Sequence, residues 1–347
     1  MRLLNERKTK MALTIYDISK QAGVSIATVS RVLNGSENVK ASTREKVLSI
    51  IEKNDYSPNA FARGMGLRSL HTIGILCADS SDIFLAKAVY YLEQELQING
   101  YESLLCCTGY NLDVKKQYLN LILSKKVDSI ILVGSNFIGF TDEENAYIKE
   151  ASEQVPVMLL NASFDYDNVY STLCDDYETM FNATNSMIES GIKDILYIYN
   201  SESYSGIKKK KGFSEAMEKS GIKKYSDLMF RYDGDIYQTD AVASFIEKIA
   251  KKHKFSAVIA SEDALAIGAV KYAYENNLKV PEDLSIIGYN NSVLSTCSTP
   301  SLTSIDNKLE TQTHQLVKTL MGVLNGDEMP KKSIFSGSLV SRATTKF

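Results

Sequence analysis

Arg31 stands in a short polar stretch, Ser25-Ile26-Ala27-Thr28-Val29-Ser30-Arg31-Val32-Leu33-Asn34, whose side chains are suited to nucleic acid. Wound as a helix at about 100° per residue, it puts Val29, Val32 and Leu33 on one face and Ala27, Arg31 and Asn34 on the other. Ser25, Thr28 and Ser30 set hydroxyls along the rim. A guanidinium can bond guanine in two places within the major groove, and hydroxyls and amides suit phosphate oxygens. On spacing alone, a solvated helix face accounts for the pattern equally well.

Catalytic and metal chemistry find no comparable constellation. His71, His253 and His314 lie far apart, with no cysteine or carboxylate at metal-ligand spacing, so no metal site and no cofactor are expected. No Gly-x-Gly-x-x-Gly follows a strand, no Gly-x-x-x-x-Gly-Lys-Ser/Thr occurs, and no Gly-x-Ser-x-Gly elbow is present. The expectation is therefore not an enzyme. Five cysteines, an odd count without a Cys-x-x-Cys pair, fit a reducing compartment. No apolar run approaches the roughly 20 residues of a membrane span, and the first residues lack a signal-peptide stretch. A cytoplasmic protein without a membrane partner is expected.

Charge is distributed unevenly. Residues 1–70 hold 12 Lys/Arg against 6 Asp/Glu, which leaves 27 and 36 of the chain's 39 and 42 to residues 71–347. A basic head on an acidic body implies that only the head meets phosphate.

The elements that position these residues follow from pattern. Thr14 and Asp17 have capping-box spacing, and Ile15, Ile18 and Ala22 share an apolar face that Gly23 ends. A second helix spans about 25–33. Ser42 and Glu45 form a capping box for a third, carrying Val47, Leu48, Ile50 and Ile51. Residues 58–69 read as a linker. There Asn59 caps a short helix, and Gly64 and Gly66 each lower helicity by roughly 1 kcal/mol. From Thr72 onward, apolar runs at 73–77, 103–107, 129–133, 157–160, 195–199, 257–260 and 284–288 alternate with helical stretches such as 85–96, 177–190 and 264–276. That alternation predicts an α/β body of parallel sheets, with ligands beyond the carboxyl ends of the strands. At 347 residues, two or three domains are expected.

The run Thr14-Ile-Tyr-Asp-Ile-Ser-Lys-Gln-Ala-Gly-Val-Ser-Ile-Ala-Thr-Val-Ser-Arg-Val-Leu-Asn-Gly35 resembles the headpiece of the LacI/GalR family of bacterial repressors, as do Val39–Leu48 and Tyr56–Arg63. It is most similar to the catabolite-control and sugar-operon branch. In the body, Lys126–Ile131, Gly212–Ala216, Val280–Tyr289, Thr299–Ile305 and Leu339–Arg342 continue the likeness. The resemblance implies an all-α helix-turn-helix head at 13–57, a hinge at 58–69, and a two-lobed periplasmic-binding-protein-like core at 70–347. Lobe one would comprise about 70–170 and 305–335, lobe two about 171–304 and 336–347. Residues 1–12 would be an extension, with Met11 an alternative initiator.

The same resemblance assigns roles. Ile26, Ala27 and Arg31 would read bases. Tyr16, Ser25, Thr28, Ser30, Asn34 and Asn38 would hold phosphates, and Tyr56, Asn59 and Ala62 lie in the matching hinge run. Met65 stands where the family's minor-groove wedge is usually Leu. The effector pocket would be Asp79, Phe84, Asn161, Lys209, Glu262, Asp263, Asn290 and Asn307. Here Asn161 and Asn290 replace a common Asp, Lys209 replaces an Arg, and Glu262 replaces an Asn. Lys209 also sits in Lys208–Lys211, which by itself reads as a solvated basic run. The implied partners are palindromic double-stranded operator DNA, a carbohydrate effector (sugar or sugar phosphate), and a second copy in a homodimer. The expected activity is repression of carbohydrate-utilisation genes. Control by a phosphorylated carrier protein instead of a small molecule stays open.

Overall fold

The computed structural model describes residues 14–33, 36, 38–54 and 69–347. The chain divides into two compact units, residues 1–70 and 71–347.

The first unit contains α1 (Ile15–Ala22), α2 (Ile26–Leu33) and α3 (Ala41–Lys53). Thr14 caps α1: its N–H donates to Asp17 Oδ2 at 2.8 Å, and the Asp17 N–H donates back to Thr14 Oγ1 at 3.4 Å. Gly23 closes the helix in the left-handed region, φ 67°, where the absent Cβ removes the strain. Ile18, Ala22, Val29, Val32 and Val47 form the small core. The box expected at Ser42 and Glu45 does not cap α3. That helix begins at Ala41 after Lys40, without a side-chain cap, so Ser42 already lies inside the first turn.

The second unit is built on two six-stranded sheets. The first has the order β11-β5-β4-β3-β1-β2 and is parallel throughout: β1 (Thr72–Cys77), β2 (Glu102–Cys107), β3 (Ser129–Val133), β4 (Val157–Leu160), β5 (Val169–Cys174) and β11 (Lys332–Phe335). The second has the order β12-β10-β9-β8-β6-β7: β6 (Ile195–Tyr199), β7 (Met229–Arg231), β8 (Ala257–Ala260), β9 (Ser285–Tyr289), β10 (Thr303–Asp306) and an antiparallel edge β12 (Ser338–Val340). Helices α4 (Ile83–Ile98), α5 (Leu112–Ser124), α6 (Asp142–Ser152), α7 (Asp176–Glu189), α8 (Tyr204–Lys219), α9 (Thr239–Ala250), α10 (Asp263–Glu275), α11 (Val293–Cys297) and α12 (Leu309–Asn325) connect them. No described helix is long and apolar enough to cross a membrane.

The inner strands of each sheet are buried on both faces, whereas β2, whose apolar run 103–107 suggests a buried strand, is an edge strand and largely exposed. Ile73, Ile75, Leu92, Ile131 and Leu320 pack on one side of the first, and Leu76, Leu119, Ile130 and Ile148 on the other. The continuous apolar strands follow from that double burial. β5 completes the first sheet, so the chain crosses after Cys174; β10 completes the second, so it returns after Asp306. A third crossing lies between Phe335 and Ser338. β5, Val-Tyr-Ser-Thr-Leu-Cys, mixes polar and apolar residues and escapes a search for apolar runs.

Candidate functional site

Two surfaces carry the residues singled out by sequence. On α2, burying Val29 and Val32 turns Ile26, Ala27 and Arg31 outward. Ser25 precedes the helix; its Oγ accepts the Thr28 N–H at 3.2 Å and lies 2.9 Å from Thr28 Oγ1. Tyr16 and Asn38 are exposed, while Thr28 and Ser30 are half-buried at the rim. The result is a short convex face with one guanidinium, small side chains and hydroxyls at its edge, able to enter a major groove. Asn34, Tyr56, Asn59, Ala62 and Met65 lie outside the described residues.

The second surface is a cavity of about 450 Å³ where the two lobes face each other. Five of the eight sequence-proposed effector residues line it: Phe84, Asn161, Lys209, Glu262 and Asn290. Asn161 and Asn290 each follow a strand end, β4 and β9, and turn into the cavity through the left-handed region, φ 65° and 92°. Asn tolerates that conformation better than most side chains. The Asn161 side-chain oxygen, Oδ1, is buried without a partner among the described residues.

Lys209 is the buried charge at the centre, 5% exposed. On α8, Ser205, Gly206, Lys209, Gly212, Phe213 and Ala216 form the inward face. The helical period thus separates Lys209 from the rest of the lysine run. Lys208 lies over the Tyr204 ring, Lys210 pairs with Glu202 at 3.1 Å, and Lys211 approaches the Tyr177 ring. The Lys209 ammonium sits 3.7 Å above the Tyr289 ring, donates to the Ser261 carbonyl at 3.1 Å, and lies 3.6 Å from Glu262. Asn290 donates to the other Glu262 oxygen, and Asn307 donates to Asn290 Oδ1 at 2.9 Å. Burial pushes the Glu262 carboxyl up to about 8, against the pull of Lys209. Beneath, the Tyr289 hydroxyl donates to Asp176 at 2.5 Å.

Three expected pocket residues do not line this cavity. Asp79 accepts the Ser81 N–H and hydroxyl, at 2.8 and 2.7 Å, and so folds its own loop. Asp263 is 2% exposed and braces the second lobe, accepting from Ser292 and Ser304. A Cβ at Gly288 would come within 2.3 Å of it, so the strand must carry glycine there. Asn307 stands behind Asn290 and does not line the cavity wall.

Sequence reasoning missed Asp82, Tyr110, Ser135, Asn136, Ser203 and Arg231, which also line the cavity. Most follow the carboxyl end of a strand or begin the next helix, the position where open α/β sheets place ligands. Asp82 caps α4, accepting from Leu85 at 2.9 Å, and burial raises its carboxyl above the ordinary range. Two bonds close the lobes on each other: Ser135 hydroxyl to Ser203 at 2.8 Å, and the Ile83 N–H to the Tyr237 hydroxyl at 2.9 Å. A larger hollow of about 710 Å³ lies outside Phe84, beside Lys87, Tyr90 and Tyr91. Lys209 and Glu262 are not among its walls, so the convergent buried charges belong to the smaller cavity.

The family model for bacterial regulatory proteins of the lacI family matches residues 14–59, and that for a periplasmic binding protein-like domain matches 184–345. An HTH-type transcriptional regulator of Lachnoclostridium phytofermentans is 48% identical over 335 residues, 96% of this chain and 100% of the relative. Catabolite control protein A of Priestia megaterium is 38% identical over 299 residues, 85% of this chain and 87% of the relative. The crystal structure of the lac repressor dimer bound to operator and the anti-inducer ONPF shares the fold, with a TM-score of 0.84 at 22% identity over 96% of this chain and 99% of that one. Because a relative 48% identical is matched along its whole length, and the head carries the family's own domain, the chain belongs to the lacI family and is a DNA-binding transcriptional regulator.

Proposed function

We propose that the protein is a cytoplasmic repressor of carbohydrate-utilisation genes whose hold on operator DNA is set by a neutral, hydroxyl-rich molecule in the inter-lobe cavity. The convergence of Asp82, Asn161, Lys209, Glu262 and Asn290 on one cavity carries this reading. Carboxylates, amides and an ammonium bond sugar hydroxyls, and charge-assisted bonds are roughly twice as strong as neutral ones. The unpartnered Asn161 oxygen is an acceptor waiting for a hydroxyl donor. A sugar phosphate is less well matched. Lys209 already has Glu262 as its partner, and the Arg231 guanidinium at the same wall is held by Asp233 and Glu202.

On the head, Ile26, Ala27 and Arg31 would read bases while Tyr16, Ser25, Thr28, Ser30 and Asn38 hold phosphates. A homodimer on a palindromic site fits, because a single head buries too little surface for tight specific binding. Calorimetric titration of the full chain with neutral sugars and with sugar phosphates tests the switch. Heat from neutral sugars, abolished in Lys209→Ala, is expected. Heat from phosphates alone would overturn the neutral-ligand reading. Silence with both classes would pass control to the phosphorylated carrier protein.

A further inference from the structure

The strand pair β1 and β2 ends in two cysteines. Cys77 and Cys107 are registered partners on neighbouring parallel strands, both are free thiols, and their sulfurs are 3.8 Å apart. Cys107 is exposed on the sheet's edge strand, and Cys77 is buried. Beyond them the two chains stay tied: Thr108 N–H donates to the Cys77 carbonyl and Gly109 N–H to Ala78, both at 2.9 Å. Tyr110 on one side and Asp82 on the other then line the cavity.

We propose that Cys77 and Cys107 form a peroxide-responsive dithiol that closes to a reversible disulfide at the root of the two cavity loops. Neighbouring strands lie about 4.7–4.9 Å apart, within the Cα separation of about 4.4–6.8 Å that a disulfide spans. The sulfurs need only close from 3.8 Å to about 2.05 Å by side-chain rotation. Cys107, open to solvent, is the sulfur oxidised first. Its thiolate attacks peroxide, an S–O bond forms, the O–O bond breaks, and one water leaves after protonation. Burial pushes the Cys77 thiol up to about 12 and shields it from peroxide, so its part is the resolving one, by virtue of the registered strands that hold its sulfur 3.8 Å from Cys107. Its sulfur attacks the Cys107 sulfenic acid; the S–S bond forms, the S–O bond breaks, and the Cys77 proton leaves with the hydroxide as a second water. Two thiols lose two electrons and one peroxide becomes two waters. The bond clamps the starts of the loops bearing Asp82 and Tyr110.

The test treats the full-length protein with hydrogen peroxide, quenches, alkylates under denaturing conditions and maps peptides by mass spectrometry. The expected product is a peptide pair joined through Cys77 and Cys107 within one chain, released by dithiothreitol. Cys107→Ser should abolish it and leave Cys77 fully alkylated. Cys77→Ala should leave Cys107 as a sulfenic acid captured by dimedone. Sulfinic or sulfonic acid at Cys107 with Cys77 still a thiol would overturn the proposal. So would a Cys106–Cys107 link, or a cross-link between two copies through Cys107.

Discussion

On α2, Ile26, Ala27 and Arg31 stand exposed within two turns of one helix, whereas the cavity draws Asp82, Asn161, Lys209, Glu262 and Asn290 from separate strand ends and helices of both lobes. The helical face is presented to water before any partner arrives, so its side chains cost nothing to hold. The cavity side chains are enclosed, and each polar atom there must be matched within the protein or by a ligand. Substitutions on α2 should therefore change DNA binding with little effect on folding. Substitutions in the cavity should change both.

The largest effect expected is at Lys209. Lys209→Met removes the cation between Glu262 and the Tyr289 ring. Breaking a buried pair costs about 3–5 kcal/mol; the lower end is expected, because a Glu262 carboxyl raised to about 8 already holds its proton over most of the neutral range and leaves little bare charge behind. A urea midpoint unchanged from wild type would show that Lys209 belongs to the solvated run after all.

Asp263→Ala comes next. It strands Ser292 and Ser304, and a buried group left unpaired costs about 1–3 kcal/mol. Stability should fall while sugar affinity, measured on the folded fraction, holds. A selective loss of affinity would return Asp263 to the ligand. Arg31→Ala is the mirror case: about 1–3 kcal/mol lost on the selected operator, relaxed preference at one base pair, and an unchanged thermal midpoint. Retained affinity and preference would remove the groove-facing role of α2.

A pH series sharpens the contrast further. The folded Glu262 carboxyl is raised to about 8, above its unfolded value, so the folded state holds the proton more tightly. Its contribution is fully present at low pH and is lost as pH rises through about 8. Asp82 and Asp263, also raised by burial, add in the same direction. Glu262→Gln should flatten the decline of stability between about pH 5 and 9, measured by urea midpoints. A slope as steep as that of wild type would contradict the burial of this carboxyl. Arg31→Ala should leave the slope untouched. The smallest effect belongs to Asp79→Ala, which loosens an exposed turn and should cost under about 1 kcal/mol with sugar affinity unchanged. Asp82→Ala, three residues away, should weaken binding in the same titration.

The sequence alone determined the helical head, with its Thr14 cap, its Gly23 turn and the outward face of α2, because helical period and capping act over three or four residues. It also determined the parallel strands, from their short apolar runs, though not which of them lie inside a sheet and which, like β2, form its exposed edge. It did not yield the sheet membership of β5 and β10, which depends on pairing between distant segments. Nor did it separate Asp79 from Asp82 or Asp263 from Glu262. In each pair both acids sit near the same strand end, and only the packed loop decides which carboxylate bonds its own loop or lobe and which faces the cavity. Lys209 shows the division most clearly. The sequence placed it among four consecutive lysines, and only the packing of α8 over Tyr289 and Glu262 selected that one for burial. Burial of a charge depends on partners that the fold brings from far along the chain, and short-range periodicity does not contain them.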